Sequence, residues 1–279
     1  MHDFIEPAAS ADSSTAVPAH TRIAPSLAEL SARLASTLGR IAARHRPTAF
    51  ASSFGVEDMV LLDTIARHAL PIEVFLLDTG RLPAETYELI ERSGSRYQIP
   101  LRVLYPDALA VEDYATRNGI NAFYRGIDLR ERCCAIRKTE PLQRALAGKA
   151  AWITGLRRSQ SVTRRDLAAE EFDAVHAMPK FNPLLEWSTD DVWDYVRANG
   201  VPYNALHDRG YPSIGCAPCT RAIEPGEDLR AGRWWWEQAE HRECGLHRRP
   251  VHVAVRVEAA VTVEPRAHAT SPATTEDPA

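Results

Sequence analysis

The sequence predicts an α/β protein: a twisted parallel sheet covered by helices on both faces. Three observations predict it. Short apolar runs at 48–54, 72–77, 101–104 and 151–154 read as buried strands. Segments of helical period alternate with them, which implies a parallel sheet. The runs end in turn chemistry, at Gly55, at Asp78-Thr79-Gly80 and at Thr154-Gly155. Ligands gather at such carboxyl ends of parallel strands.

The elements follow in chain order. Leu27, Leu30, Leu34, Leu38 and Ile41 recur at helical spacing and give a first amphipathic helix. Glu57 to Ala69 is a second, with acidic residues in its first turn where the dipole favours them. Pro83 suits the start of a third helix, and Gly94 its end. Further helices are expected around 108–117 and 133–147. Ser188 caps another, with Asp191 three residues on and Gly200 closing it. A last helix is expected from Arg233 to Glu243. Residues 1–24 and 248–279 are rich in Ala, Thr and Pro and lack an apolar period, so both read as disordered; Val251 to Val263 suits a loose strand at most. The chain thus divides into a tail at 1–24, an α/β domain at 25–232, a helix-and-cysteine segment at 233–247 and a tail at 248–279.

Composition narrows the function. A chain of 279 residues that is 45% hydrophobic buries a substantial core. The net charge of −4 argues against a broad nucleic-acid-binding surface. No apolar run approaches the length of a membrane span. Met1 to His20 carries Asp3, Glu6 and Asp12 and has no apolar core, so it does not read as an export signal. A cytoplasmic protein is the simplest reading, and cytoplasmic thiols stay reduced.

That matters because the five cysteines are unevenly spread. Cys133 and Cys134 are adjacent, Cys216 and Cys219 form a Cys-x-x-Cys pair, and Cys244 stands alone in Glu-Cys-Gly-Leu-His. The two pairs are better metal ligands than disulfide partners. Cys-x-x-Cys is a common zinc half-site, but adjacent cysteines converge poorly on one tetrahedral ion. An iron–sulfur cluster offers separate irons to separate thiolates, so the spacing favours a cluster over zinc without excluding zinc. Lys138 lies four residues after Cys134, suited to stand between an anionic cluster and an anionic substrate, or to pair with Glu140. Cys244 is left for chemistry. A helix ending before it would raise its pKa, so His241, Arg242, His247 and Arg248 must supply any activation. A lone cysteine is more often a small buried residue; the polar sequence and Gly245 argue against that here.

Three strand ends suit a nucleotide. Ser52-Ser53-Phe54-Gly55-Val56-Glu57-Asp58 offers hydroxyls and backbone N–H groups at a helix start, though an ordinary capped turn has the same residues. Asp78 and Thr79 suit a nucleoside, or a plain turn. Arg157 and Arg158 follow a strand and suit phosphate or sulfate, as they suit a solvated loop. Arg230 and Arg233 either complete an anion clamp or open a surface helix. Trp234, Trp235 and Trp236 are expected to pack onto the domain, with partner docking as the alternative.

Taken in order, Ser-Ser-Phe-Gly-Val-Glu-Asp, Leu-Asp-Thr-Gly-Arg, Cys-Cys-Ala-Ile-Arg-Lys, Thr-Gly-Leu-Arg-Arg-Ser-Gln-Ser, Gly-Cys-Ala-Pro-Cys-Thr-Arg, Gly-Arg-Trp-Trp-Trp and Glu-Cys-Gly-Leu-His resemble the assimilatory adenylylsulfate (APS) reductases. These form the iron–sulfur branch of the phosphoadenylylsulfate (PAPS) reductase family, and the resemblance covers roughly 48–247. It implies a fold like that of the adenine-nucleotide alpha hydrolases, with a modified pyrophosphate loop at Ser52 to Asp58. It implies a [4Fe-4S] cluster on Cys133, Cys134, Cys216 and Cys219, and Cys244 as nucleophile. Substrate contacts are then expected from Ser52, Ser53, Asp78, Thr79, Lys138, Arg157, Arg158, Arg230, Arg233 and His247. The implied reaction reduces APS to sulfite and AMP through a Cys244 S-sulfo intermediate discharged by thioredoxin or a glutaredoxin-like donor. A PAPS or dual-specificity reductase is the nearest alternative. An ATP-activating pyrophosphatase-loop enzyme would not need Cys244, and a noncatalytic nucleotide sensor would not turn over. Two features depart from the family pattern: 32 residues follow His247, and Pro83 stands where many relatives carry histidine. The sequence leaves the oligomeric state open, a homo-oligomer included.

Overall fold

The computed structural model describes residues 25–160, 164 and 166–238. The two tails, Cys244 and His247 lie outside the described residues.

Six strands form one sheet. They are β1 (Thr48–Ala51), β2 (Ile72–Leu77), β3 (Leu101–Leu104), β4 (Ala151–Ile153), β5 (Glu170–Asp173) and β6 (Met178–Phe181). Their order is β3-β2-β1-β4-β6-β5. Every neighbouring pair is parallel except β5 with β6, which is antiparallel at one edge. The expected parallel sheet is therefore present, with an edge hairpin that the sequence did not announce. That hairpin is short and polar. Its turn is tied by Asp173, which accepts from the N–H groups of Val175 and His176.

Side chains alternate across the sheet, as strand geometry requires. Phe50, Val74, Leu76 and Ile153 face one layer of helices. That layer holds α1 (Leu27–Arg44), α2 (Val56–Arg67), α3 (Ala84–Tyr97) and α7 (Thr189–Asn199). Ala49, Phe75 and Trp152 face the other way, onto Leu142, Ala145 and Leu146 of α6 (Glu140–Leu146). Helices α4 (Ala108–Asn118) and α5 (Ile127–Cys134) complete the set. Tyr114, Phe123 and Cys133 form a third, smaller core there.

Helix ends follow local chemistry. Ser26 with Glu29, and Ser188 with Asp191, form reciprocal capping boxes. Gly200 closes α7 in the left-handed conformation, as expected. Gly94 does not end α3. The helix runs on to Tyr97, whose hydroxyl donates to buried Asp63 at 2.9 Å, and Gln98 takes the left-handed cap instead. The helix expected over 133–147 is split. Between α5 and α6, residues Ala135–Thr139 widen into a π-turn. Pro141 lacks the N–H that would bond the Arg137 carbonyl, and its ring crowds that oxygen.

The helix expected from Arg233 does not begin there. Arg233 makes an antiparallel bridge with Thr220, and 234–237 form turns. Trp234 adopts φ +44, a conformation that a helix does not contain. The remainder of that expected helix lies outside the described residues.

Candidate active site

The strand order reverses between β1 and β4: β2 and β3 lie to one side of β1, β4 and β6 to the other. This is a topological switch point, and the turns leaving β1 and β4 part to form a crevice there. A cavity of about 230 Å³ occupies it, lined by Ser52 to Gly55, Thr79, Thr154 to Arg157, Lys138, Ser213 to Cys216, Arg230, Arg233 and Trp234 among others.

The turn after β1 is shaped by Phe54, which holds φ +59. The left-handed region costs a bulky residue on the order of 1–2 kcal/mol. Phe54 is also completely sequestered in the main core, and that burial offsets the cost. The turn presents Ser52 and Ser53 to the cavity, at the N-terminus of α2. Ser53 is engaged already. Its N–H and its hydroxyl both donate to Asp58 Oδ2, each at 2.6 Å. The Gly155 N–H bonds the same carboxylate. A side chain at Gly155 would overlap Asp58, so glycine is required for this approach. Burial pushes the Asp58 carboxyl up to about 6 against the pull of these donors.

The basic residues divide by what they touch. Arg157 lines the cavity but is saturated: Nε and Nη2 donate to Glu57 at 3.0 and 2.8 Å, and Nη1 donates to Ser159. Arg158 is outside the cavity lining and pairs with Glu186 at 2.7 Å on the surface. Lys138 and Arg230 line the cavity. Arg233 lines it too and is 6% exposed; among the described residues it has no carboxylate partner. Its Nη1 reaches the Ile214 carbonyl at 3.1 Å, its Nε has no partner, and its guanidinium lies 4.8 Å over the Trp234 ring. A side chain at Gly215 would collide with it. A buried guanidinium without a counter-charge is costly and suits an incoming anion. Asp78 does not line the cavity; it accepts from Gly80 N–H and Tyr87 Oη, each at 2.8 Å, and with burial raises the tyrosine to about 12.

Beside this cavity lies a second of about 20 Å³. All four described cysteines line it: Cys133 and Cys134 from the end of α5, Cys216 and Cys219 from the loop after Gly215. Arg81, Arg130, Arg137 and Lys138 line it as well. Burial raises the Cys133 thiol, and raises Cys219 to about 12, with Arg137 and Lys138 respectively pulling back. Thiols so placed are protonated unless a metal replaces the proton. Among the described residues, no group of three or more His, Cys, Asp or Glu side chains is placed to hold a metal ion. The donor set nonetheless fits a cluster: four thiols on one cavity, spread rather than gathered about a point, with cations around them to balance an anionic centre.

The segment beyond the cavities is anchored. Arg130 Nε and Glu237 Oε1 form a buried ion pair at 2.6 Å, and Arg130 lies 5.0 Å over the Trp234 ring. The Trp234 ring is therefore in contact with two guanidinium groups. Trp236 packs edge-on against Tyr124, and Trp235 stays 36% exposed. Packing onto the domain is thus the role of two of the three indoles.

Some cavity residues escaped the sequence reading. Asp58 reads as part of the Ser52–Asp58 turn but without a role of its own, because its partners Ser53 and Gly155 come from different turns. His207, whose Nε2 is buried without a partner among the described residues, gave no pattern at all; burial holds its pKa down.

The fold and site define a class: a doubly wound α/β protein with a four-thiol cavity beside the crevice at its topological switch point. Residues 47–222 match the phosphoadenosine phosphosulfate reductase domain. The chain belongs to that family. It is 57% identical to the adenosine 5'-phosphosulfate reductase of Allochromatium vinosum over 72% of this chain and 78% of the relative. Identity to the adenosine 5'-phosphosulfate reductase of Burkholderia cepacia is 52%, over 81% and 91%. Among solved structures, the phosphoadenylyl-sulfate (PAPS) reductase of Candida auris, in a phosphate complex, superposes with a TM-score of 0.59 at 27% identity, covering 72% of this chain and 99% of that one. Among the described residues no helix is long and apolar enough to cross a membrane.

Proposed function

We propose that this protein reduces adenosine 5'-phosphosulfate to sulfite and AMP, as a cytoplasmic enzyme of sulfate assimilation. One observation carries the reading. Lys138, Cys216 and Trp234 line both cavities, so the nucleotide crevice and the four-thiol cavity share a wall. The relatives named for this substrate support APS over PAPS.

In this reading the nucleotide lies across the β1–β4 switch point, with Ser52 and Thr79 among its contacts. Lys138, Arg230 and Arg233 neutralise the phosphosulfate. Arg157 braces the wall through Glu57, and His247 adds a cation from beyond the described residues. The Cys244 thiolate attacks the sulfur of APS. The S–O bond to phosphate breaks, and AMP leaves with its new charge held by the cations. Cys244 then carries an S-sulfo group. A thiolate of thioredoxin, or of a glutaredoxin-like donor, attacks the Cys244 sulfur and expels sulfite. The donor's second thiol resolves the mixed disulfide and regenerates Cys244. Cys133, Cys134, Cys216 and Cys219 would hold a [4Fe-4S] cluster, which supplies an electrostatic centre near the sulfate and ties α5 to the Cys216 loop.

Sulfite release tests this. Full-length protein with APS and reduced thioredoxin is expected to release sulfite and AMP in equal amounts, and Cys244→Ser to release neither. Sulfite from the serine variant would remove Cys244 from the mechanism. Turnover of PAPS at an equal rate would make the enzyme dual-specific.

A further inference from the structure

The helix that carries the first cysteine pair changes its winding just before a proline. At the end of α5 the bonds still follow the α register, and the Ala135 N–H donates to the Glu131 carbonyl. The Glu140 N–H donates instead to the Ala135 carbonyl, five residues back. Pro141 comes next. It has no N–H with which to return the chain to the α register at Arg137, and its ring would meet the Arg137 carbonyl oxygen. The π-turn at Ala135–Thr139 takes up one extra residue there; such single turns are rare and gather at functional sites.

The extra residue reconciles two sets of contacts. Leu142, Ala145 and Leu146 of α6 are fixed on the sheet, with Phe75 and Trp152. Cys133 lies nine residues before Leu142. At about 100° per residue, an unbroken α-helix would put the two about 180° apart, on opposite faces. Taking one residue out of that count brings Cys133 to about 80° from Leu142, and Cys134 from about 80° to about 20°. In the folded chain Cys133 packs with Tyr114 and Phe123, and both cysteines line the small cavity.

Two cations sit on the π-turn itself. Arg137 Nη1 donates to the Thr79 carbonyl at 2.6 Å, and Thr79 Oγ1 lies 3.2 Å from Cys216 Sγ. Lys138 lines both cavities. Arg137 pulls on the Cys133 thiol, and Lys138 on Cys219. Pro141 lines neither cavity.

We propose that Pro141 is a positioning residue of the site: it holds the π-turn that directs Cys133, Cys134, Arg137 and Lys138 at the two cavities while α6 stays seated on the sheet. The inference goes beyond the reductase reading. It rests on that reading only where AMP is used as a probe of the larger cavity.

The test compares anaerobically purified, full-length wild type with Pro141→Ala. Alanine restores the N–H and favours α winding. Three quantities are read: AMP affinity by calorimetric titration, the rate at which a chelator removes iron, and the melting temperature before chelation. The variant is expected to bind AMP about tenfold more weakly, as for one weakened charge-assisted contact, and to lose iron several-fold faster. Its melting temperature is expected to match or exceed that of wild type, because a helix-breaking residue has gone. Gln143→Ala, at an exposed position of the same helix, is expected to change neither AMP affinity nor iron loss. AMP affinity and iron loss both within about twofold of wild type would overturn the proposal, as would equal effects in Gln143→Ala. A melting temperature lower by more than about 5 °C would also overturn it, and make Pro141 a packing residue. Should Pro141→Ala not fold, Pro141→Ser takes its place and restores the same N–H; if neither folds, the proposal falls. Wild type that does not bind AMP would count against the nucleotide reading, and iron loss alone would then decide on Pro141. Failure of the reductase reading would appear separately, as absence of sulfite from APS with wild type.

Discussion

Thr79 Oγ1 lies 3.2 Å from Cys216 Sγ, so the end of β2 touches the cysteine loop directly. The same hydroxyl accepts the Arg81 N–H at 3.2 Å, and the Thr79 carbonyl accepts Arg137 Nη1 at 2.6 Å. One residue thus joins the β1–β4 crevice to the cysteine loop, to the Arg81 main chain and to the Arg137 guanidinium. Thr79→Val keeps the volume and removes the hydroxyl. The loss is expected to be about 1 kcal/mol in stability, or a melting decrease of roughly 2–4 °C for a chain of this size. AMP affinity should fall several-fold as well. An unchanged AMP affinity would mean that the contact serves the cysteine loop alone.

Arg233 is a buried charge on the crevice wall with no carboxylate partner among the described residues, and the proposed function gives it the substrate's anion. Arg233→Gln removes an uncompensated guanidinium, so stability should hold or rise, whereas affinity for APS should fall by about a hundredfold or more, as for a charge-assisted contact worth roughly 3 kcal/mol. Thermal melting with and without ligand separates the two effects. A variant that loses stability in step with affinity would make Arg233 a structural residue.

The Arg130–Glu237 pair should behave oppositely. Removing one partner of a buried pair costs on the order of 3–5 kcal/mol, and the Glu237 variant should sit at the lower end because Glu131 stays 3.8 Å from Arg130. Arg130→Met and Glu237→Gln are each expected to destabilise strongly. The double variant should recover part of the loss, as a double-mutant cycle on chemical denaturation would show. Additive losses would mean that the two residues are not coupled.

Much of this was legible in the sequence, for physical reasons that vary by element. The α7 boundaries were readable because Ser188, Asp191 and Gly200 are local signals that act within one turn of chain. Strands β1, β2 and β4 were readable because burial on both faces demands continuous apolar runs, whereas β3 is an edge strand whose Arg102 and Val103 are exposed. The β5–β6 hairpin was not: β5 is an edge strand with exposed Phe172, and its pairing depends on β4 being in place. The π-turn at 135–139 is a response to Pro141 that a periodic pattern does not carry. At the site, residue types were readable and commitments were not. Arg157 and Arg158 are neighbours with the same side chain, but the fold gives one to Glu57 and the other to Glu186. Asp58 and Gly155 are far apart in sequence and meet only because β1 and β4 are adjacent.

Asp58 also predicts how stability varies with pH. Its folded pKa of about 6 exceeds the unfolded value of 3.8. The folded state therefore holds the proton more tightly, and the advantage is lost as pH rises from about 4 through 6. Asp58→Asn has no such loss. Its stability relative to wild type should increase over that range by roughly 3 kcal/mol, at 1.36 kcal/mol per pH unit of raised pKa. A difference that stays constant from pH 4 to pH 7 would show that Asp58 is not perturbed.

The central claim is that this crevice delivers the sulfur of APS to Cys244. The most direct measurement is the mass of anaerobically purified protein after mixing with APS, without any thiol donor, followed by peptide mapping. The account predicts one sulfo group on Cys244, released as sulfite when reduced thioredoxin is added. Protein that retains its iron and sulfide yet gains no such group from APS would contradict it.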